Sequence, residues 1–261
     1  MSCPASLRRA ASIALILLSA CSSERAPAAQ GEPGQTVELL DIAANRRLKA
    51  GFLVVDGVYN TELTAPYDVL DHTVHYLPDG LGIDVFTVSP TGAPITTAEG
   101  LRILPDYSFD TAPPIDILVV PSAQGSRDSD LENHTMVEWV RRQGDEAELV
   151  MSLCWGAFVL AEADLLDGRD CTTFPSDYGS LARRFPEVNM LVNVSFVHDG
   201  PTITSQGGSR SFDPAMYLVE MLYGQETARG IGGGLLIPWP PPLESGITYY
   251  VAHDAESTGV D

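Results

Sequence analysis

The chain has 261 residues, with 35 acidic and 15 basic side chains, and its formal net charge is −20 at pH 7. A surface this acidic repels the phosphates of nucleic acids and of anionic lipids, so nucleic acid is not an expected partner. Lys49 is the only lysine, so no lysine cluster is available for polyphosphate binding or for Schiff-base chemistry.

The first 20 residues have the pattern of an export signal. A pair of arginines precedes an apolar run at residues 10–20, which is too short to span a bilayer as a helix. Residues 18–21, with the sequence LSAC, resemble the lipobox of bacterial lipoproteins. We therefore predict cleavage before Cys21, lipid attachment to this cysteine and, from Ser22 after it, anchoring in the outer membrane facing the periplasm. The alternative is an ordinary signal peptide with a chance cysteine.

Four regions are predicted along the chain. Residues 1–20 are the signal peptide. Residues 21–48 are the lipid anchor and a flexible tether, because the stretch up to about residue 33 is too rich in Ala, Ser, Pro, Gly and Gln to order itself. Residues 49–236 are one folded domain, and residues 237–261 are a proline-rich exit and an acidic tail.

Strand and helix patterns alternate through the folded domain, which favours an α/β architecture with a largely parallel sheet. The predicted strands are residues 50–55, 83–88, 115–120, a strand that ends at Cys154, 171–174, 192–197, 202–205 and 247–251, with a hairpin at 95–106. The predicted helices are residues 64–76, 131–142, 155–166 and 213–222, the last with Ser211 as its N-cap.

Two cysteines remain in the folded domain, Cys154 and Cys171. Cys154 is predicted at the carboxyl end of one strand and Cys171 near the start of another. A strand rises by about 3.3 Å per residue, so the two sulfurs would be too far apart for a disulfide. Both cysteines are therefore predicted to be thiols.

Cys154 follows an apolar strand and directly precedes a helical pattern, which is typical of a nucleophile elbow. Such a sharp turn needs small residues two positions before and after the nucleophile, where Ser152 and Gly156 stand. The N–H groups and the dipole at the start of the following helix would stabilise a thiolate. The alternative is a buried structural cysteine, since free cysteines are among the most buried residues.

Ligands of open α/β sheets bind outside the carboxyl ends of the strands. Cys154 lies at one such end, and residues 57–62, 121–125 and 174–177 follow others. Glu62 is the candidate acid–base partner, because a carboxyl near a thiol can accept and donate a proton. The alternative is a carboxylate that interacts with the first turn of its own helix.

The five histidines form no catalytic or metal-binding pattern. His72 and His75 are three apart on one predicted helix, and two ligands without a third make a weak metal site. The other histidines fall in polar loops, at a strand end or in the tail. No metal site and no cofactor is predicted.

Several motifs together resemble the ThiJ/PfpI superfamily, whose members have a class I glutamine amidotransferase-like fold. The matching segments are residues 51–58, 62–67, 116–121, the elbow, 160–169, 181–188 and 204–207. The resemblance extends over about residues 49–236, and the branch that looks most similar contains isonitrile hydratases and the sensory domains of AraC-type regulators. It implies a flavodoxin-like three-layer sandwich that is often a homodimer.

The resemblance also implies roles for four residues. Cys154 corresponds to the nucleophile of this branch and Glu62 to its acidic residue, while the backbone amides near Ala123 and Trp155 correspond to an oxyanion hole. In a hydratase-type reaction, Cys154 would attack the terminal carbon of an isocyanide. Glu62 would exchange protons with the adduct and with water, and an N-substituted formamide would be released.

The chain differs from the hydratase pattern at the site itself. That pattern has a small hydroxyl residue after the cysteine and an aspartate at the acidic position, whereas this chain has Trp155 and Glu62. Ser122 and Ala123 replace an expected glycine pair, and Phe174 stands where many sensory relatives have a histidine. Two hypotheses follow. The first is an envelope-anchored enzyme that uses its cysteine on a small molecule, as a hydratase, hydrolase or lyase; the second is a non-catalytic module for small-molecule binding or redox sensing.

Overall fold

The computed structural model describes residues 30–31, 42, 46–241 and 249–251. The predicted signal peptide, the lipidation site Cys21 and most of the tether and the acidic tail lie outside these residues. Within the described part of the chain, no helix has both the length and the apolar character needed to cross a bilayer.

Strands and helices alternate along the described chain. The strands are β1 (Gln30–Gly31), β2 (Leu48–Leu53), β3 (Ile83–Ser89), β4 (Ile95–Thr96), β5 (Arg102–Ile103), β6 (Tyr107–Ser108), β7 (Ile117–Val120), β8 (Leu149–Leu153), β9 (Asp170–Cys171), β10 (Asn189–Met190), β11 (Phe196–Asp199), β12 (Thr202–Ser205) and β13 (Tyr249–Val251). The helices are α1 (Asn60–Asp71), α2 (Thr73–Tyr76), α3 (His134–Glu146), α4 (Gly156–Glu162), α5 (Tyr178–Arg184) and α6 (Phe212–Leu235). Short 3₁₀ turns at Pro175–Asp177 and Gly208–Ser211 precede α5 and α6.

One central sheet contains nine of the described strands, in the order β1-β13-β11-β12-β8-β7-β2-β3-β6. Neighbouring strands are parallel from β12 through to β6, and β11 is also parallel to β13. The pairs β11–β12 and β1–β13 are antiparallel. The predicted mainly parallel α/β sheet is confirmed, and so is the predicted hairpin, formed by β4 and β5 outside the central sheet.

Two apolar cores lie on opposite faces of this sheet, because successive side chains of a strand point to opposite sides. In β7, Ile117 and Val119 pack into the core that α1 and α6 cover. Leu118 and Val120, between and after them, pack into the core that α3 and α4 cover. Helices on both faces make three layers, so the predicted flavodoxin-like sandwich is confirmed.

Several predicted boundaries are wrong, each for a local reason. Helix α4 ends at Glu162 rather than near residue 166, because Asp164 takes a left-handed conformation with φ 60°. The strand predicted at 171–174 is reduced to β9, which pairs with β10 in a small separate sheet. The strand predicted at 192–197 begins only at Phe196, after a left-handed Asn193 with φ 61°.

The last helix is longer than predicted, since α6 extends to Leu235 and the prediction ended it at residue 222. Gly224, with φ 85°, interrupts α6, and the chain then resumes helical geometry with Ala228 and Ile231 buried in the core. The helix ends at a left-handed Leu236. Beyond it Trp239 is buried, and its indole Nε1 donates a hydrogen bond of 2.6 Å to Glu220.

The start of α6 also differs from the prediction. Ser211 stands at the N-cap position, but its buried hydroxyl has no hydrogen-bond partner within the described residues. The 3₁₀ turn before the helix already gives Ser211 helical backbone angles, φ −68° and ψ −19°. Side-chain capping normally requires an extended backbone at that position, so Ser211 does not cap the helix.

Candidate active site

Cys154 occupies a sharp turn between β8 and the start of α4, and its φ of 54° lies in the left-handed region. Few residues with a β-carbon adopt this conformation, and those that do are concentrated at functional sites. In the sheet, Val120 pairs with Ser152 and Ser205 pairs with Leu153, so the carboxyl ends of β7 and β12 lie on either side of the turn. The predicted elbow is confirmed as a strand–cysteine–helix turn at this edge.

Small residues permit the turn, as the sequence pattern indicated. A β-carbon added to Gly156 would lie 3.1 Å from the carbonyl carbon of Val120 and closer still to its oxygen. The same β-carbon would lie 3.4 Å from the side chain of Ser152, which is fully buried. Helix α4 therefore begins in direct contact with the end of β7, and this contact places Cys154 above the sheet edge.

Glu62 lies in the first turn of α1, and its side chain is turned towards the elbow with only 6% of the residue exposed. Its Oε2 accepts hydrogen bonds from the hydroxyl and from the backbone N–H of Ser122, the latter at 3.3 Å. Its Oε1 accepts from the backbone N–H of Gly208 at 3.2 Å. The carboxyl also shares a hydrogen bond with the thiol of Cys154. The structure thus brings together the two residues that the sequence singled out.

Burial dominates the titration of both groups. It raises the pKa of Glu62, against the lowering effect of the hydrogen bonds from Ser122, Gly208 and Cys154. Burial also raises the pKa of the Cys154 thiol, and the negative charge of Glu62 raises it further. The Ser122 hydroxyl and the Trp155 backbone N–H act in the opposite direction. The thiolate stabilisation predicted at the helix start is therefore present but outweighed, so the Cys154 thiol keeps its proton at neutral pH.

The two amides assigned to an oxyanion hole differ in their surroundings. The backbone N–H of Trp155 is hydrogen-bonded to the thiol of Cys154, so it lies beside the reacting atom. The backbone N–H of Ala123 instead donates to Oγ of Ser126 at 2.8 Å, and Ala123 pairs with Val58 in an isolated β-bridge. In this structure the Ala123 amide is committed to a protein acceptor, and an oxyanion there would have to displace the Ser126 hydroxyl.

Ser122 and Gly207 complete the site, and the sequence analysis gave neither a role. The fully buried Ser122 hydroxyl is hydrogen-bonded to Glu62 and also to the Cys154 thiol. Its place directly after Pro121, at a strand end, was the available signal. Gly207, with φ 79°, lies directly against Cys154, since a β-carbon on Gly207 would lie 2.9 Å from the backbone nitrogen of Cys154.

Four side chains from separate segments form what we call the Trp155 cluster: Tyr59, Arg127, Trp155 and Asp177. The indole Nε1 of Trp155 donates to Oδ2 of Asp177 at 3.0 Å. The guanidinium carbon of Arg127 lies 4.1 Å from the centroid of the indole ring, and Nη1 of Arg127 donates to Oδ1 of Asp177. The ring of Tyr59 packs edge-on at 5.9 Å between centroids. Trp155 is therefore held in one orientation beside the nucleophile.

The charges within this cluster are paired. Burial acts to raise the pKa of Asp177, but hydrogen bonds from Ser176, Trp155 and Arg127 and the charge of Arg127 lower it below its usual value. Asp177 is thus an ionised, buried carboxylate with Arg127 as its counter-ion. The Trp155 cluster therefore contains a paired acid and base, Asp177 and Arg127, and no unpaired charge of either residue.

Cys154 and Cys171 are both free thiols, as predicted. His72 and His75 pack ring against ring at 5.9 Å between centroids. Among the residues that the structure describes, no group of three or more His, Cys, Asp and Glu side chains is placed to hold a metal ion.

The family model of the DJ-1/PfpI family matches residues 48–221. The chain belongs to this family. It is 32% identical over 200 residues to the isonitrile hydratase of Pseudomonas putida, an alignment that covers 76% of this chain and 82% of the hydratase. It is also 30% identical over 145 residues to the HTH-type transcriptional regulator GbdR of Pseudomonas aeruginosa, which covers 56% of this chain but only 39% of the regulator.

Solved structures share the DJ-1/PfpI fold. A ThiJ/PfpI family protein from Pseudomonas syringae has a TM-score of 0.67 at 22% identity, over 77% of this chain and 80% of that one. Drosophila melanogaster DJ-1beta has a TM-score of 0.63 at 23% identity, over 74% of this chain and all of the other. The predicted superfamily is confirmed by sequence and by fold, and both hydratase and regulator relatives lie within it.

Proposed function

We propose that this protein is an enzyme that uses Cys154 as a nucleophile on a small uncharged molecule, with isonitrile hydration as its reaction. The observation that carries the proposal is the buried contact between Glu62 and Cys154. The hydroxyl of Ser122, just after β7, donates a hydrogen bond to Glu62. Similarity to an isonitrile hydratase over most of both chains supports this reaction class.

The proposed reaction balances with the groups at the site. The sulfur of Cys154 bonds to the terminal carbon of the isocyanide, and that carbon takes the proton held by the pair, which gives a thioimidate. Water then adds to the same carbon, and Glu62 accepts a proton from the water and passes it to the nitrogen. The carbon–sulfur bond breaks, the new hydroxyl group gives its proton to the sulfur, and an N-substituted formamide leaves.

The raised pKa values suit this sequence of steps. Because burial keeps a proton on the Glu62–Cys154 pair, the proton is available for the carbon at the moment when the sulfur attacks. The hydratase pattern has a hydroxyl residue directly after the cysteine, where this chain has Trp155. In this chain a hydroxyl group reaches Glu62 from Ser122, in a different segment.

Turnover by matched variants tests the proposal. The full chain, with Cys21→Ser to prevent lipidation, is incubated with alkyl and aryl isocyanides, and formamide is measured by chromatography; methylglyoxal and amides serve as substrates for lyase and hydrolase chemistry. Cys154→Ala is expected to abolish turnover, and Glu62→Gln to lower it by about 10² to 10⁴. Cys171→Ala is the control, because Cys171 is buried in β9. Equal turnover by wild type and Cys154→Ala would contradict the proposal.

A ligand-binding module is the second candidate, and the fixed position of Trp155 beside the thiol favours it. Saturable thermal stabilisation by a small molecule that is never converted would support this alternative. Redox sensing is less well supported, because sensor cysteines need a lowered pKa, whereas burial and Glu62 raise the pKa of Cys154.

We also propose that the protein is attached to the bacterial outer membrane, facing the periplasm, through lipid on Cys21, and that the folded domain forms a homodimer. The lipobox-like residues 18–21 support the anchor. Metabolic labelling with an alkyne fatty acid is expected to mark the wild-type chain and not Cys21→Ser. Light scattering of the Cys21→Ser chain is expected to give twice the protomer mass, and the mass of a single chain would refute the dimer.

A further inference from the structure

The Trp155 cluster is rigid at the point where it borders the nucleophile. Trp155 follows Cys154 directly, and Asp177, which orients the indole, is itself buried with 4% of the residue exposed. The hydrogen bond to Asp177 and the overlying Arg127 hold the indole in place. A side chain held in this way has a fixed position, because moving it would remove one of the three side-chain donors of a buried carboxylate.

Tyr59 connects Trp155 to the reacting pair. Its backbone N–H donates to the carbonyl oxygen of Ser122 at 3.0 Å, and Ser122 in turn donates to Glu62. Tyr59 is therefore linked through its backbone to the residue that bonds to Glu62, and through its ring, in edge-on contact, to the residue that follows Cys154.

The charge of the cluster also has a consequence for ligands. The Arg127 side chain is 43% exposed, but its guanidinium is bonded to Asp177 and lies over the Trp155 ring. An anionic substrate therefore meets a cation that is already neutralised, while a broad substrate meets two fixed rings. The Trp155 cluster therefore favours substrates whose reacting group is narrow and uncharged.

We propose that the Trp155 cluster determines the specificity of the site by restricting Cys154 to molecules with a narrow, uncharged reacting end, such as the terminal carbon of an isocyanide. The choice of substrate rests on the proposed function, but the restriction of access does not, since it applies to any electrophile that reaches the thiol.

Alkylation by three related reagents tests the restriction without turnover. Iodoacetamide is small and neutral, iodoacetate is small and anionic, and 2-iodo-N-phenylacetamide is broad and neutral. In each reaction the sulfur bonds to the methylene carbon, iodide leaves and the thiol proton goes to solvent. The rates at Cys154, followed by mass spectrometry in the full Cys21→Ser chain, are compared as ratios, so that changes in the intrinsic reactivity of the thiol cancel.

Trp155→Ala and Asp177→Ala are expected to raise the rate of the phenyl reagent relative to iodoacetamide by about tenfold or more. Asp177→Ala is also expected to raise the relative rate of iodoacetate, because it leaves Arg127 without its carboxylate. Asp84→Ala is the matched control, since it removes an exposed ion pair with Arg47.

The outcomes separate this inference from the proposed function. Unchanged ratios in Trp155→Ala and Asp177→Ala would overturn the inference, whether or not the protein hydrates isocyanides. Changed ratios of the alkylation rates, without turnover of any isocyanide, would support the restriction by the Trp155 cluster and contradict the proposed reaction. Circular dichroism checks the fold of each variant, and if Trp155→Ala does not fold, Trp155→Phe and Asp177→Ala give the same test.

Discussion

Gly207 lies directly against Cys154, at the end of β12, with a φ of 79°. A β-carbon at this position would lie 2.9 Å from the backbone nitrogen of Cys154 and nearer still to its side chain. The same atom would lie 2.9 Å from Oε1 of Glu62. This glycine therefore permits the close approach of the elbow to the acidic residue on α1.

We predict that Gly207→Ala destabilises the fold and disrupts the site. Overpacking costs about 1–3 kcal/mol, and a left-handed alanine adds about 1 kcal/mol. Gly208→Ala is the matched control, because it has φ 58° and nothing within 4 Å of its added β-carbon. Urea unfolding should show a larger loss for Gly207→Ala than for Gly208→Ala. Equal losses in the two variants would mean that Gly207 is needed only for its backbone angle.

Gly156 gives a second prediction, at the start of α4. Gly156→Ala should lower the free energy of unfolding by about 2 kcal/mol or more, because its β-carbon would overlap the carbonyl group of Val120. Gly233→Ala in α6 has no atom within 4 Å and should stabilise the helix by about 0.5–1 kcal/mol. Chemical denaturation measures both. Similar effects of the two substitutions would refute the contact between α4 and β7 as the reason for this glycine.

Asp213 predicts a pH-dependent component of stability. Burial raises its pKa to about 6, although the charge of Arg210, 3.6 Å away, acts to lower it. The folded state then binds more protons than the unfolded state between the unfolded value of about 3.9 and the folded value. The contribution of Asp213 to stability is therefore present at low pH and is lost as the pH rises through about 6.

Asp213→Asn removes this component, so its stability relative to wild type should rise between pH 4 and pH 7. Urea midpoints measured across this range give the difference directly. Asp84→Asn, at an exposed ion pair, is the control and should show no comparable trend. A constant difference between Asp213→Asn and wild type across the range would contradict the prediction.

The fold was predictable because its pattern is local. Apolar strands such as β3 and β8 and the small residues around Cys154 are read directly from the chain. The failures arise where tertiary contacts override local signals. The last helix was predicted to end at residue 222, yet burial of Ala228 and Ile231 extends α6 to Leu235.

The site was predictable in part for the same reason. Cys154 and Glu62 follow strand ends, and sequence alone indicated that such ends meet. Asp177 and Arg127 could not be assigned, because their roles depend on contacts between segments far apart in the chain, such as the hydrogen bond from Trp155 to Asp177. The raised pKa of Cys154 was also missed, since the local pattern shows the helix start but not the burial or the charge of Glu62.

The most direct test of the coupling between Glu62 and Cys154 is the pH dependence of Cys154 alkylation by iodoacetamide in wild type and in Glu62→Gln. Cys171 is the internal reference, because burial and the charges of Asp170 and Asp199 raise its pKa to about 12. We predict an apparent pKa for Cys154 above the ordinary value of about 8.5 in wild type, and a lower one in Glu62→Gln, which removes the negative charge. Identical profiles in the two proteins would show that the charge of Glu62 does not raise the pKa of Cys154, and would contradict the proposed mechanism.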